Sequence, residues 1–156
     1  HADHRVLSME IRRKYAAQLD ERLAARGLRI ARCFAEDARE ALGRLVPDGG
    51  ARFAAIHFPD PWWKKRHQKR LVIGDVVVAQ LARLIAPGGL AFVQTDVRER
   101  ADEYLASFGT QAGFAVEGEG EGTLCDESPF APARSNREAR AIADGLPVYR
   151  MVFRRR

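Results

Sequence analysis

The sequence is poor in cysteine and lacks any long hydrophobic run. Its two cysteines, Cys33 and Cys125, lie far apart without a CxxC spacing or a nearby histidine cluster. The sequence therefore predicts neither a disulfide framework nor a zinc site. The longest apolar runs, such as residues 76–79, are far shorter than the roughly 18 residues that a membrane span requires. We expect a protein without a metal site or a membrane segment, in a reducing compartment such as the cytoplasm.

The composition is that of a globular domain with an excess of positive charge. Of the 156 residues, 46% are hydrophobic and 30% are charged, and 26 Lys and Arg against 21 Asp and Glu give a net charge of +5. A chain of this size and composition builds a single core. The positive charge favours a polyanionic partner without identifying one.

Short aliphatic runs alternate with segments of helical periodicity, which is typical of an α/β layer around a largely parallel sheet. The pattern predicts strands at residues 5–10, 28–34, 52–58, 90–95, 114–117 and 148–153. It predicts helices at residues 11–26, 38–45, 72–85 and 98–112. Residues 118–135 show little periodicity and are predicted to form a long loop, which in a compact domain is usually functional or disordered.

Four acidic residues lie at or just beyond the carboxyl ends of predicted strands: Glu10, Asp37, Asp60 and Asp96. Ligands of open α/β sheets bind at these ends. Taken singly, each acid is equally well explained as a helix N-cap or an exposed turn residue. Taken together, they indicate a binding site. An acid at position 10 suits the two hydroxyls of a nucleoside ribose, and one at position 37 suits an adenine amino group, so both fit an adenosyl cofactor.

The motif FPDPWWKKRHQKR occupies residues 58–70, directly after the third predicted strand. The two prolines stiffen the chain on both sides of Asp60 and limit where its carboxylate points. Trp62 and Trp63 either wall a pocket or cover the edge of the core, and the sequence does not separate the two roles. Five of the next seven residues are Lys or Arg. Such a run forms either a solvated surface or a phosphate-binding loop, and its position beside Asp60 favours RNA.

This motif resembles the PDPW and KxRHxKR hallmark of the bacterial tRNA (guanine-N7)-methyltransferases. Residues 9–15, MEIRRKY, are similar to the ribose-binding region of that family, and residues 36–38 resemble its adenine-binding acid. Thr95-Asp96 and the segment 135–138 resemble its later TD and T-x-x-E elements. In this segment Ser135 replaces the usual Thr, and Arg137 replaces the usual aromatic residue. The resemblance extends along most of the chain.

The resemblance implies a Rossmann-like class I methyltransferase with a mostly parallel sheet, an antiparallel C-terminal strand and helices on both faces. It implies S-adenosylmethionine as cofactor and N7 of a guanine in the tRNA variable loop as methyl acceptor. Asp60 is the implied catalytic residue, and it contacts the cofactor together with Glu10 and Asp37. The implied substrate-binding residues are Lys64, Asp96, Ser135, Asn136, Arg137 and Glu138. The implied RNA-binding residues are Arg66, His67, Gln68, Lys69 and Arg70.

The family begins its domain with a strand and a Gly-rich loop beneath the methionine part of the cofactor, and residues 1–156 hold no such loop in the expected place. The glycines at 118, 120 and 122 lie among glutamates, with no predicted helix after them. We therefore expect residues 1–156 to form a single methyltransferase domain that lacks its N-terminal part. The lacking strand is expected between those ending at Glu10 and Phe58. Monomer and homodimer both stay open.

Two alternative functions stay open at this stage. An amino-methyltransferase of nucleic acids carries a D-P-P-aromatic motif, whereas here Pro61 stands directly before Trp62 and the spacing differs. A noncatalytic RNA-binding module, having lost its cofactor site, would retain the basic run. Titration of the full-length protein with S-adenosylmethionine separates these options, because only the noncatalytic module shows no binding.

The basic run generates the first prediction. Replacing Lys69 and Arg70 together with alanine removes two cations from it, so affinity for tRNA falls and the logarithmic dependence of affinity on salt concentration flattens by about 1 for each lost phosphate contact. The measurement is the tRNA dissociation constant over a range of salt concentrations. Unchanged affinity combined with lost turnover would contradict the assignment.

Overall fold

The computed structural model of the chain describes residues 4–62, 71–111, 113–117 and 124–156. The chain divides into two units, His1–Arg44 and Leu45–Arg156. The expectation of a single methyltransferase domain stays a prediction.

The first unit contains two parallel strands and the helix that connects them. Strand β1 is Val6–Met9, helix α1 is Arg13–Ala25, strand β2 is Ala31–Phe34 and helix α2 is Ala38–Ala41, followed by a short 3-10 helix at Leu42–Arg44. Gly27, with φ of +67°, lies two residues beyond α1 and directly after the predicted helix of residues 11–26, where glycine commonly ends a helix. Asp20 of α1 accepts a hydrogen bond of 2.9 Å from the backbone N–H of Cys33. This bond ties the helix to β2.

The second unit is a four-stranded sheet with three helices. Its elements are β3 (Ala51–His57), α3 (Asp75–Leu84), β4 (Ile85–Thr95), α4 (Arg98–Gly109), β5 (Phe114–Glu117), α5 (Asn136–Ala143) and β6 (Tyr149–Arg155). The strand order is β3-β4-β6-β5. Strands β3 and β4 are parallel, and β6 is antiparallel to both β4 and β5. The predicted antiparallel C-terminal strand is confirmed.

The core of this unit lies around its two central strands, β4 and β6. Phe92 and Val93 of β4 and Met151 and Phe153 of β6 are all fully buried. The ring of Phe153 stacks on Phe108 of α4 with a centroid distance of 4.0 Å. Residues 90–95 of β4, LAFVQT, are buried or half-buried, and a strand covered on both faces reads as a nearly continuous apolar run.

The structure differs from the prediction most clearly at β4 and α5. Strand β4 begins at Ile85 rather than Leu90, because residues 87–89, which lie between the predicted helix and the predicted strand, form a bulge inside the strand. Ala51 pairs with Ile85, yet Phe53 already pairs with Leu90. Helix α5 was not predicted, since its eight residues follow a long aperiodic segment. Of that segment, residues 124–135 contain neither helix nor strand.

In the part of the chain that the structure describes, no helix is both long and apolar enough to cross a membrane. No group of three or more His, Cys, Asp or Glu side chains is arranged there to hold a metal ion.

The bulge in β4 generates a prediction about stability. A Cβ atom added to Gly89 would lie 2.7 Å from the carbonyl oxygen of Arg52 and 2.6 Å from Cγ2 of Ile85. These distances are too short, and one neighbour is backbone of the adjacent strand. Gly89→Ala should therefore lower the free energy of unfolding by about 1–3 kcal/mol, measured by urea denaturation.

Gly109→Ala is the matched control. A Cβ atom at Gly109, the last residue of α4, meets nothing within 4 Å, and alanine is the better helix former. Its free energy of unfolding should stay unchanged or rise slightly. Equal losses in the two variants would show that the bulge imposes no special requirement.

Candidate functional site

Three polar side chains form a row across the sheet of the second unit. His57 of β3 pairs with Gln94 of β4, and Gln94 pairs with Arg150 of β6. Directly paired residues of neighbouring strands project from the same face of a sheet. His57 is the last residue of β3, so the row lies at the carboxyl ends of the parallel strands, where ligands of α/β folds bind.

Glu138 of α5 completes this row with a buried carboxylate. Glu138 is only 2% exposed. Oε1 accepts hydrogen bonds from Nε and Nη2 of Arg150 at 3.1 and 2.9 Å, and Oε2 lies 3.5 Å from Nε2 of Gln94. Arg150 also donates to the backbone oxygen of Asp126 at 3.0 Å. The ion pair therefore links α5, β6 and the loop before α5.

The Ser135–Glu138 segment begins α5. The Ser135 hydroxyl caps the helix by accepting a hydrogen bond of 3.1 Å from the backbone N–H of Glu138. In a capping box the glutamate side chain bonds back to the capping residue, whereas here it bonds to Arg150. The Ser-x-x-Glu spacing thus both starts the helix and points a carboxylate at the sheet.

Phe130 holds the loop of residues 124–135 against the same face. Its ring packs edge-on against Phe53 at 4.9 Å and against Phe92 at 5.8 Å, and it lies tilted beside His57 at 5.8 Å. A cavity of about 230 Å³ opens here, lined by His57, Ser128, Phe130, Ala133, Arg134, Ser135 and Glu138. Two aromatic rings beside a carboxylate suit a flat heteroaromatic ligand with N–H donors.

His57 is neutral in this setting. Desolvation lowers the pKa of its imidazole below the ordinary value of 6.5, and the charge of Glu138 opposes this effect only in part. The ring therefore has one donor nitrogen and one acceptor nitrogen at neutral pH.

Asp60 follows β3 in an exposed position. The residues on either side of the Pro-Asp-Pro segment adopt left-handed backbone conformations, with φ of +46° at Phe58 and +41° at Trp62. Such conformations cost about 1–3 kcal/mol each in bulky residues and cluster at functional sites. The backbone N–H of Phe58 donates to the Gln94 carbonyl at 2.8 Å, which anchors the start of this segment to β4.

The structure brings two further predicted substrate residues together as an ion pair. Asp96, directly after β4, accepts a hydrogen bond from Nη2 of Arg137 on α5. Asn136, the first residue of α5, is exposed. Asp96 and Arg137 thus join α5 to the end of β4 in the second unit.

Glu10 and Asp37 belong to the first unit, and each follows a strand as predicted. Oε1 of Glu10 accepts from the backbone N–H of Arg12 at 2.8 Å, and Oε2 makes no hydrogen bond within the described residues. Glu10 therefore fits an acceptor of ribose hydroxyls. Asp37 is the N-cap of α2, and its bonds with the Arg39 side chain lower its pKa below the usual value. Both carboxylate oxygens of Asp37 accept hydrogen bonds from Arg39, so contact with an adenine amino group stays a prediction.

The predicted residues of the basic run lie outside the described residues, and their roles stay predictions. They are Lys64, Arg66, His67, Gln68, Lys69 and Arg70, together with the neighbouring Trp63.

Sequence reasoning missed His57, Gln94, Phe130 and Arg150. One signal could have indicated Gln94, since it is the only amide in the apolar run of β4 and a buried amide requires hydrogen-bond partners. A second signal could have indicated His57, since it stands directly before the Phe-Pro-Asp-Pro motif. The pairing that joins these residues depends on the register of β6, which short-range patterns do not specify.

The buried ion pair generates a prediction about stability. In Arg150→Met, Glu138 keeps its carboxylate in a buried position without its cation, so the free energy of unfolding should fall by about 3–5 kcal/mol. Arg150→Met combined with Glu138→Gln should recover a large part of that loss, because no charge is then buried. Urea denaturation measures both variants.

Arg140→Met is the matched control on α5. Arg140 also pairs with a carboxylate, that of Asp144, but its side chain is 75% exposed. Exposed pairs contribute less than about 1 kcal/mol. A loss in Arg150→Met no larger than in Arg140→Met would mean that the buried pair does not organise the site.

The chain is similar in sequence to known methyltransferases. A family model described as a putative methyltransferase matches residues 1–151. The tRNA (guanine-N(7)-)-methyltransferase of Myxococcus xanthus is 40% identical over 155 residues, covering 96% of this chain and 71% of that protein. Proteins of the same name from Rhodopirellula baltica and Trichormus variabilis are 33% and 34% identical, covering 99% and 96% of this chain. The chain spans 58% and 69% of the lengths of these two.

Solved structures share the fold at low sequence identity. A putative methyltransferase from Streptococcus mutans, in complex with SAH, has a TM-score of 0.60 at 9% identity, covering 97% of this chain and 76% of that chain. TrmN from Thermus thermophilus has a TM-score of 0.62 at 17% identity, covering 97% of this chain and 36% of that chain. The fold is therefore that of class I methyltransferases, as predicted. With the matches along nearly its whole length, the chain belongs to the tRNA (guanine-N7)-methyltransferase family.

Proposed function

We propose that this chain transfers a methyl group from S-adenosylmethionine to N7 of a guanine in the variable loop of tRNA. Membership of the family supports the reaction. The single observation that carries the proposal in this chain is the pocket between His57, Phe130 and Glu138, which lies at the carboxyl ends of the parallel strands. Asp60 follows the same strand three residues after His57.

The chemistry of N7 explains why such a site needs no general base. N7 of guanine carries a lone pair in the ring plane and no proton, so nothing has to be removed before it attacks a methyl group. The cofactor, when bound, supplies an activated methyl group on a sulfonium. Correct placement of the base then dominates the rate.

Asp60 stabilises the positive charge that develops on the purine ring during transfer. A carboxylate held in place before the reaction stabilises developing charge without reorganisation. The flanking prolines and the left-handed conformations of Phe58 and Trp62 supply that rigidity. Such a geometry would be costly to keep without a function.

The remaining side chains hold the two substrates. Glu138 presents a carboxylate to the pocket, which suits the N1–H and amino donors of guanine. Glu10 accepts hydrogen bonds from the cofactor ribose, and Asp37 accepts from the adenine amino group. The basic run of residues 64–70 binds tRNA phosphates, and the reaction takes place in the cytoplasm.

Methyl transfer to unmodified tRNA tests the proposal. Borohydride and aniline cleave RNA at N7-methylguanosine, so the full-length protein with S-adenosylmethionine should produce one cleavage in the variable loop. Asp60→Asn should reduce kcat by about 10²–10³ while tRNA affinity stays within about twofold, because the lost charge acts in the transition state.

Asp102→Asn, an exposed carboxylate on α4, is the control and should keep full activity. Absence of cleavage by a protein that binds tRNA would refute the proposed function. Full turnover by Asp60→Asn would refute only the role of Asp60.

A further inference from the structure

The orientation of the Gln94 amide is fixed by two neighbours. Its Nε2 atom lies 2.7 Å from Nδ1 of His57 and 3.5 Å from Oε2 of Glu138. An amide oxygen in that position would face the Glu138 carboxylate, and the two negative atoms would repel each other. The nitrogen suits both neighbours, so we orient the Gln94 N–H groups toward Glu138 and His57, and Oε1 then has no hydrogen-bond partner within the described residues.

The donor at Gln94 determines the tautomer of His57. Because Nδ1 receives a hydrogen bond from the amide, it carries no proton, and the proton of the neutral ring is on Nε2. Within residues 4–62, 71–111, 113–117 and 124–156, Nε2 has no hydrogen-bond partner, and His57 is exposed at the pocket. His57 therefore offers the pocket an N–H donor.

Arg150 fixes the other end of this chain of contacts. Its two hydrogen bonds to Oε1 hold the Glu138 carboxylate in one orientation, and the strand register holds Arg150 beside Gln94. The contacts run from Arg150 through Glu138 and Gln94 to His57. Among the described residues, the charged side chains that line the pocket are Glu138 and Arg134.

On the basis of the proposed function, we propose that His57 donates its Nε2–H to O6 of the target guanine and thereby determines specificity. Gln94 is the residue that positions the His57 ring. Guanine carries a carbonyl acceptor at position 6, where adenine carries an amino donor. A donor at His57 and an acceptor at Glu138 match the O6 and N1–H of guanine. With adenine in the pocket, the His57 donor would face an amino donor and the Glu138 carboxylate would face an unprotonated N1. Neither hydrogen bond would form, which is costly in a desolvated pocket.

Two substitutions of His57 distinguish the contributions of its two ring nitrogens to activity. The side-chain nitrogen of Gln takes approximately the place of Nε2, and that of Asn takes the place of Nδ1. His57→Asn should lower kcat/KM for unmodified tRNA by about 30-fold, whereas His57→Gln should stay within about fivefold of the natural protein, since it keeps the donor. Thermal unfolding of both variants checks that they are equally folded.

An altered substrate tests the partner atom. In tRNA with 6-thioguanine at the target position, sulfur, a weaker acceptor, replaces O6 while N1–H and N7 remain. The natural protein should lose about tenfold in kcat/KM on this substrate, and His57→Asn should lose almost nothing further. The variant and the altered substrate together form a double-mutant cycle, which measures the contact between His57 and position 6 of the base. A general loss of stability affects both substrates equally and therefore cancels.

The tautomer itself is visible by ¹⁵N NMR of the imidazole. In the natural protein Nε2 should have the chemical shift of a protonated nitrogen and Nδ1 that of an unprotonated one. In Gln94→Met, which keeps the side-chain length without the donor, this preference should weaken. A proton on Nδ1 in the natural protein would overturn the assignment of Gln94.

The outcomes distinguish this inference from the function on which it rests. If the natural protein makes no N7-methylguanosine, the proposed function fails and this inference fails with it. If it methylates guanine and 6-thioguanine equally well, or if His57→Asn keeps full kcat/KM on guanine, the function stands and the role of His57 is refuted.

Discussion

The buried pair between Glu138 and Arg150 is the interaction on which the site depends. Neither charge is stable in this position alone, because desolvation of a single ion costs several kcal/mol. Strand β6 supplies the cation from the middle of the sheet, and α5 supplies the carboxylate. The pair therefore fixes α5 over the sheet and positions the loop that carries Phe130, so that a pocket forms between them.

Rigid placement is a recurring property of this site. The row of His57, Gln94 and Arg150 is held by strand register rather than by flexible loops. The Pro-Asp-Pro segment is held by its prolines and by the strained backbone on both sides. A reaction that transfers a methyl group to an unprotonated nitrogen gains mainly from such placement, since no proton has to be moved first.

Much of the fold followed from local patterns. Strands β1, β3 and β5 lie within about two residues of their predicted bounds, because alternating aliphatic runs bounded by turn residues are strong signals. The acids at positions 10, 37, 60 and 96 all follow strands. Predicting the strands was enough to predict these positions. The proline motif predicted a stiff segment around Asp60 but not the left-handed backbone at Phe58 and Trp62. The family resemblance pointed to Ser135 and Glu138, whose substrate-binding roles stay predictions.

The parts that could not be predicted depend on long-range pairing. Helix α5 follows an aperiodic segment, and the cation that pairs with its buried Glu138 lies twelve positions further along the chain. The pairing of Gln94 with both His57 and Arg150 requires β6 to enter between β4 and β5. Asp96 and Arg137 were each predicted to bind substrate, and no local pattern indicated that they pair with each other.

A crystal structure of the full-length protein with unmodified tRNA and S-adenosylhomocysteine would show where the target guanine binds. We expect the target guanine to be flipped out of the RNA into the pocket between His57, Phe130 and Glu138, with its N7 toward the cofactor sulfur. A guanine bound elsewhere, with this pocket empty, would refute the proposed binding site.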